Sequence, residues 1–280
     1  MFRIAWKGPL KYLEAPVPDN FDFLIHAFCT RLGGVSEGPF SSLNVSAREG
    51  DDSGKVGQNF ERIASAFGVA AGQFLLINQV HQDGVWVIDR PAQWSGDPAP
   101  PAFDALVTNQ PGAALCIKTA DCVPILVVDP VRRIIGAVHA GWKGTALRIA
   151  EKTIDAFVRS FESSPQDLLA FIGPAIGPCC YEVDAPVFKA LAGHRGQASF
   201  LNQVRHGNRW MLDLPLANKI QLLNRGMLPE NVFSAGLCTS CRKDIFFSHR
   251  REAGQTGRQL NFIMLCGAAA EDASQKVLDR

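Results

Sequence analysis

The tightest constraint on how this chain can fold lies in residues 116–145, CIKTADCVPILVVDPVRRIIGAVHAGWKGT. An unbroken apolar run, residues 123–128, meets a turn signal at Asp129-Pro130 and is followed by a second run, residues 134–138. Then come His139 and a glycine-containing corner at residues 140–144. Apolar runs bounded by turn residues read as buried strands, so this segment is a strand–turn–strand unit feeding a helix. Proline is favoured at the second position of a type I turn, and longer hairpin loops are usually built around such a turn. A loop centred on Pro130-Val131 pairs Asp129 with Arg132 and, counting back, Cys122 with His139. That register puts their Cβ atoms about 4.5–5.5 Å apart. A thiol facing an imidazole at that range is either a pair of metal ligands or a Cys–His dyad.

A chain of 280 residues can form one large domain or two small ones. No matched repeat and no strong boundary divides it, so a single domain over residues 1–280 is expected. A hydrophobic content of 47% against a charged fraction of 20% provides ample material for a core. The formal net charge of +1 argues against a global pull toward nucleic acid or an anionic membrane. The first residues lack the apolar centre of a secretory signal, and no apolar run approaches the ~18 residues of a membrane span. Without a signal, 8 cysteines suggest reduced thiols and metal ligands more than a disulfide framework. The expectation is a cytoplasmic protein with no nucleic-acid, membrane or obligate protein partner.

Along the chain, short strands are expected before residue 28, then a long loop at residues 30–44 whose Gly33-Gly34 and Gly38-Pro39 pairs mark tight turns. Helical spacing predicts a helix over residues 55–67, with an N-cap at residues 51–53 and a stop at Gly68. Short strands follow at 74–77 and 85–88, then a proline-rich connection at 91–101 and a strand at 104–108. The clearest helix spans residues 145–161, with Ala146, Leu147, Ala150, Ile154, Phe157, Val158 and Phe161 on one stripe. Further strands are expected at 168–172, 232–235, 245–247 and 261–265, with helices at 184–191 and 213–225. Strands and helices mix without regular βαβ alternation, which favours an α+β sandwich with a mixed sheet.

His81, Cys122 and His139 each end an apolar strand beside glycine or polar residues, and together they form a ligand set suited to catalytic zinc. In the rival reading Cys122 is a nucleophile, His139 its base, and Asp121 or Asp104 orients the ring. Cys238 and Cys241 form a CxxC motif and Cys179-Cys180 are adjacent; the two pairs could build a Cys₄ site, although ordinary thiols are the simpler reading. Arg250, Arg251 and Arg258 suit anion binding, as does Lys143 at a helix start, and Trp142 could stack on a planar ring. The loop carrying Arg31, Ser36, Asn44 and Arg48 is long enough to imply function.

NQVH (residues 78–81), KTADCVPIL (118–126), AVHAGWKGT (137–145), IGPAIGPCCYEV (172–183) and FFSHRR…TGR (246–258), with TRLGGVSEGPFSSLN at 30–44, occur in this order. Together they resemble the YfiH/LACC1-like family, variously described as multicopper polyphenol oxidase (laccase), purine nucleoside phosphorylase and peptidoglycan editing factor. The resemblance implies a single α+β sandwich and one mononuclear zinc site, with copper possible, on His81, Cys122 and His139. It also implies phosphorolysis of adenosine, inosine, guanosine and methylthioadenosine, with adenosine deamination; the alternatives are a peptidoglycan-precursor editing hydrolase and a copper-dependent polyphenol oxidase. On that basis the partners are a nucleoside and phosphate. Arg48 and Lys143 become the expected phosphate contacts, Arg31, Asn44 and Arg250 the substrate-binding residues, and Asp121 or Asp83 the general acid. The chain departs from the family pattern at Arg48-Glu49, Lys143 and Cys241. Multicopper chemistry needs many imidazoles, and 6 histidines without an HxH pair make the oxidase reading the weaker one.

Overall fold

The two apolar runs become neighbouring central strands of a sheet covered on both faces, which is why they read as continuous rather than alternating. The computed structural model describes residues 1–90, 100–204 and 207–267, so most of the proline-rich connection lies outside the described residues. Elements are numbered in chain order. The first six-stranded sheet runs β1 (Arg3–Lys7), β2 (Leu10–Glu14), β3 (Leu24–Cys29), β15 (Gln259–Leu265), β7 (Ala114–Thr119) and β4 (Phe74–Leu75). The second runs β14 (Val232–Ser234), β10 (Leu169–Ile172), β8 (Val123–Asp129), β9 (Ile134–Ala140), β6 (Ala105–Thr108) and β5 (Val85–Ile88). A small third sheet has the order β11 (Glu182–Val183), β13 (Trp210–Leu212) and β12 (Leu201–Gln203). The helices are α1 (Ser53–Phe67), α2 (Trp142–Ala146), α3 (Ile149–Phe161), α4 (Ala185–Ala190), α5 (Gln197–Phe200) and α6 (Leu214–Asn224).

Side-chain parity divides the interior into layers. Leu126 and Val128 of β8, with Ile135 and Ala137 of β9, pack against Phe28, Leu115, Ile117 and Ile263 of the first sheet. The opposite parity, Val123, Ile125, Val127 and Val138, packs against Ile149, Ile154 and Phe157 of α3 and Leu222 of α6. The outer face of the first sheet, including Tyr12, Cys116 and Phe262, is covered by Ile63 and Phe67 of α1. The result is a layered α+β sandwich with mixed sheets, since β4–β7, β5–β6 and β10–β14 pair parallel and the other ladders of the two large sheets are antiparallel. Helix α1 has the expected ends: the Asp52 side chain accepts from Lys55 N, and Gly68 closes it in the left-handed region at φ 65°.

Three local expectations need correction. The hairpin register is shifted by two: Asp129 pairs with Ile134, and His139 lies opposite Pro124 rather than Cys122. The cause is the loop, where Asp129 Oδ1 accepts from both Val131 N and Arg132 N at 2.9 Å and Arg133 turns left-handed at φ 55°. The helix expected at 145–161 is broken between α2 and α3 by Arg148, also left-handed at φ 64°. Residues 245–247 are buried but form no strand; Ile245 O accepts from Arg31 N, and Phe247 N donates to the Gln259 side chain.

Candidate functional site

A shift of two residues keeps every side chain on its face, whereas a shift of one would not. Cys122 and His139 therefore still point the same way, as diagonal rather than direct neighbours. The residue opposite Cys122 in the true register is Gly141, and the reason is steric: a Cβ there would lie 3.0 Å from Cys122 Sγ and 3.1 Å from His81 Cδ2. His81 enters from the loop before β5 in the left-handed region, φ 59°, a conformation that costs a non-glycine residue energy and persists only where its surroundings impose it.

Asp104 imposes it. This fully buried carboxylate accepts hydrogen bonds from three successive backbone N–H groups, those of Val80 (3.2 Å), His81 (3.0 Å) and Gln82 (2.7 Å). It also accepts from His139 Nδ1 at 2.7 Å, which leaves Nε2 of that ring free to face Cys122. One side chain thus orients both imidazoles, whose centroids lie 4.8 Å apart in an edge-on arrangement. Burial would raise the Asp104 pKa, but the His139 and backbone donors outweigh it and hold the carboxyl below its ordinary value.

The ligand atoms of His81, Cys122 and His139 all lie within 4.8 Å of one another, so the three form a group able to hold a metal ion. Burial pushes the Cys122 thiol up, but the His139 ring and hydrogen bonds from both histidines bring it down to about 6. Burial lowers His139, yet Cys122 and the bond to Asp104 raise it to about 9. Each partner thus favours the other's charged form, the imidazole drawing the thiol toward thiolate and the sulfur drawing the ring toward imidazolium. The deprotonated sulfur is what a soft divalent ion requires, and the ligated imidazole must give up its proton.

The group opens into a cleft of about 880 Å³. Around it stand Arg48, Lys118, His249, Arg250 and Arg258, with Trp142, Ile176 and Tyr181 supplying apolar and aromatic wall. Burial, with Arg48 and Arg258 nearby, lowers the Lys118 pKa despite the opposing pull of Glu49, and burial raises the Tyr181 phenol. Of the residues expected from sequence, Arg48 and Arg250 line this cleft. Arg48 donates to Asn78 Oδ1 at 2.8 Å, and the Arg250 guanidinium lies 4.8 Å from the Tyr181 ring centroid.

Others are used elsewhere. Lys143 is exposed on α2, its Nζ 5.6 Å from the centroid of the Trp142 ring, and it is not among the cleft-lining residues. Arg31 donates to Ser41 O at 2.7 Å and packs over Phe247, tying two loops together outside the cleft. Asn44 is fully buried with both amide atoms engaged: Nδ2 donates to Ser46 O and Asp51, and Oδ1 accepts from Ser46 N and Arg258 N. Asp121 lines the cleft, but its two carboxylate oxygens accept from Thr239 Oγ1 and Arg250 N, each at 2.6 Å. Asp83 is ion-paired with Lys152. Lys118 was the cation missed; its signal is a charge placed inside the apolar strand β7.

A sequence profile of the family described as multi-copper polyphenol oxidoreductase laccase matches residues 25–266. The chain is 40% identical over 242 residues to "Purine nucleoside phosphorylase" of Deinococcus radiodurans, covering 86% of this chain and 88% of that one. It is 37% identical over 271 residues to "Purine nucleoside phosphorylase LACC1" of Mus musculus, covering 93% of this chain but only 60% of the mouse protein. The crystal structure of YlmD from Geobacillus stearothermophilus superposes with a TM-score of 0.88 at 34% identity, covering 94% of this chain and 99% of that one. The chain belongs to the multi-copper polyphenol oxidoreductase laccase family.

Proposed function

We propose that this chain is a zinc-dependent purine nucleoside phosphorylase acting on adenosine, inosine, guanosine and methylthioadenosine, with adenosine deamination as a second reaction at the same centre. The observation that carries the reading is the pairing, in one cleft, of a His₂Cys group with the cations Arg48, Lys118, Arg250 and Arg258. The relatives' names agree with the phosphorylase part of it. The donor set, and the close approach of the Gly141 backbone to Cys122 and His81, fit a small tetrahedral ion on His81, Cys122 and His139. Bound zinc supplies a Lewis acid and makes water more acidic.

The protein's own residues do the remaining work. A phosphate seated among Arg48, Lys118 and Arg258 would compensate the charge of Lys118, whose pKa is lowered first by burial and further by the two arginines. Trp142 and Tyr181 offer flat surfaces for the purine, and the Tyr181 phenol, its pKa raised by burial, remains a hydrogen-bond donor. As a phosphate oxygen bonds to C1′ the bond to the purine nitrogen breaks, and the purine leaves with the electron pair and takes up a proton. With Asp121 and Asp83 engaged elsewhere, His249 is the proposed proton donor. We also infer a single domain and a cytoplasmic location; among the described residues no helix is long and apolar enough to cross a membrane.

The test is metal analysis of the purified protein together with phosphate-dependent release of adenine from adenosine. Cys122→Ala is expected to lose both activities and the metal of this site. Full phosphorolysis by a metal-free Cys122→Ala protein would sink the proposal. The Cys122–His139–Asp104 array supports a second reading, a thiol hydrolase, because it places a thiol of lowered pKa beside an imidazole oriented by a carboxylate. Chelation separates the two: the zinc enzyme loses turnover and regains it with zinc, whereas the thiol enzyme is indifferent.

A further inference from the structure

The structure assigns a second metal site, formed by Cys179, Cys180, Cys238 and Cys241, to a structural zinc ion. The four side chains come from two loops that leave the same edge of the second sheet. β10 and β14 are parallel, and their alignment continues past the strand ends through the bridge between Ala175 and Cys238. Thr239 N donates to Ala175 O at 3.0 Å and Ala175 N to Leu237 O at 3.3 Å, so the loops are held together by backbone before any sulfur is considered.

The four Sγ atoms lie within 4.8 Å of one another, with Cys179–Cys241 at 3.5 Å and Cys180–Cys241 at 3.4 Å. Four thiolates around zinc at about 2.3 Å are about 3.8 Å apart along the edges of a tetrahedron. A disulfide needs about 2.05 Å. Both spacings lie well beyond a disulfide and within a few tenths of an ångström of the tetrahedral edge.

The surroundings are those of a ligand set. Gly177 N donates to Cys238 Sγ at 3.3 Å, the kind of backbone hydrogen bond that orients a ligating sulfur. Arg251 fastens the CxxC loop from behind, donating to Thr239 O at 2.7 Å and Ser240 O at 3.0 Å. Cys179 and Cys241 are exposed, which leaves an entry path for the ion. An all-thiolate tetrahedral site selects zinc among the abundant divalent ions. Loading one Zn²⁺ onto four thiols releases four protons to the buffer and moves no electrons.

The clip would act on the cleft wall. Its loops carry Ile176 and Tyr181, and through Thr239 and Ile176 they hold both the carboxylate and the carbonyl of Asp121, the neighbour of Cys122. The experiment uses the full chain carrying Cys122→Ala, which removes the other metal centre, so the outcome does not depend on the proposed activity. Reconstituted with zinc under reductant and desalted, this protein is expected to hold one zinc per chain by elemental analysis, and Cys179→Ser/Cys241→Ser in the same background none. Cobalt loaded into the Cys122→Ala protein should give the strong visible absorption and sulfur-to-cobalt charge transfer of a tetrahedral tetrathiolate. Chelation should lower its melting temperature. A folded Cys122→Ala protein that holds no zinc, and whose four thiols are freely titratable or joined as disulfides under these conditions, would overturn the assignment.

Discussion

Gly141 and Asp104 show how much of the site rests on residues that bind nothing themselves. Gly141→Ala places a methyl group 3.0 Å from Cys122 Sγ, and Asp104 is the acceptor that sets both imidazoles. The expected result for Gly141→Ala is a loss of metal affinity of about 10–100-fold, the range for groups that orient ligands, with an unchanged far-UV spectrum. Competition with a chromogenic chelator measures it; unaltered affinity would mean that the sulfur and ring can move aside. His26 offers a pH-dependent effect away from the site. It is buried, its Nε2 accepts from Ala15 N at 3.0 Å, and burial holds its pKa below the ordinary value. Folding therefore favours the neutral ring. The stabilisation is complete above about pH 6.5 and is lost as the pH falls from there toward the lowered folded value. The limiting slope is about 1.4 kcal/mol per pH unit. His26→Gln keeps an acceptor but no titration, so its stability should fall less between pH 7 and 5 in denaturant melts; parallel curves for the two proteins would refute this.

At the scale of elements, the break between α2 and α3 is the clearest case of position overriding local preference. The stripe from Ala146 to Phe161 is helical throughout, yet Arg148 sits at φ 64° so that α2 can lie over the cleft while α3 packs on the sheet. A left-handed conformation costs an L-residue about 1–2 kcal/mol, and the contact of the exposed Arg148 with the half-buried Glu151, long at 3.9 Å, returns little. Arg148→Gly is therefore expected to raise stability by up to about 1 kcal/mol, after the greater flexibility of glycine in the unfolded chain is counted. Chemical denaturation checks it, and a lower midpoint would show that Arg148 has a compensating role.

Over the whole molecule, the site and the core are one structure. Cys122 precedes β8 and His139 lies within β9, and both strands are packed on one side by the other sheet and on the other by α3. Phe157 anchors that helix against Gly136, where an added Cβ would come within 2.8 Å of the ring. Phe157→Ala should cost about 3–5 kcal/mol. In both wild type and variant, release of the metal held by His81, Cys122 and His139 should coincide with the tryptophan-fluorescence unfolding transition. Release well before unfolding would show that the site opens independently of the sandwich.

What the sequence determined by itself was local: the paired buried strands, the α1 caps, the residues able to bind metal, and the parity that keeps Cys122 and His139 on one face. These follow from periodicity, turn chemistry and ligand type, which act over a few residues. Tertiary structure decided which groups meet. Asp104 rather than Asp121 orients His139, because the β6–β9 ladder brings it there. Lys118 and Arg258 join Arg48 in the cleft, whereas Lys143, Arg31 and Asn44 are turned to surface or wall. The two cysteine pairs, with Cys179 lying 62 and Cys180 lying 61 residues before Cys241, meet because two parallel strands release their loops at the same end of the sheet. Such convergence depends on how sheets stack and loops close, and neighbouring residues in the chain do not encode it one at a time.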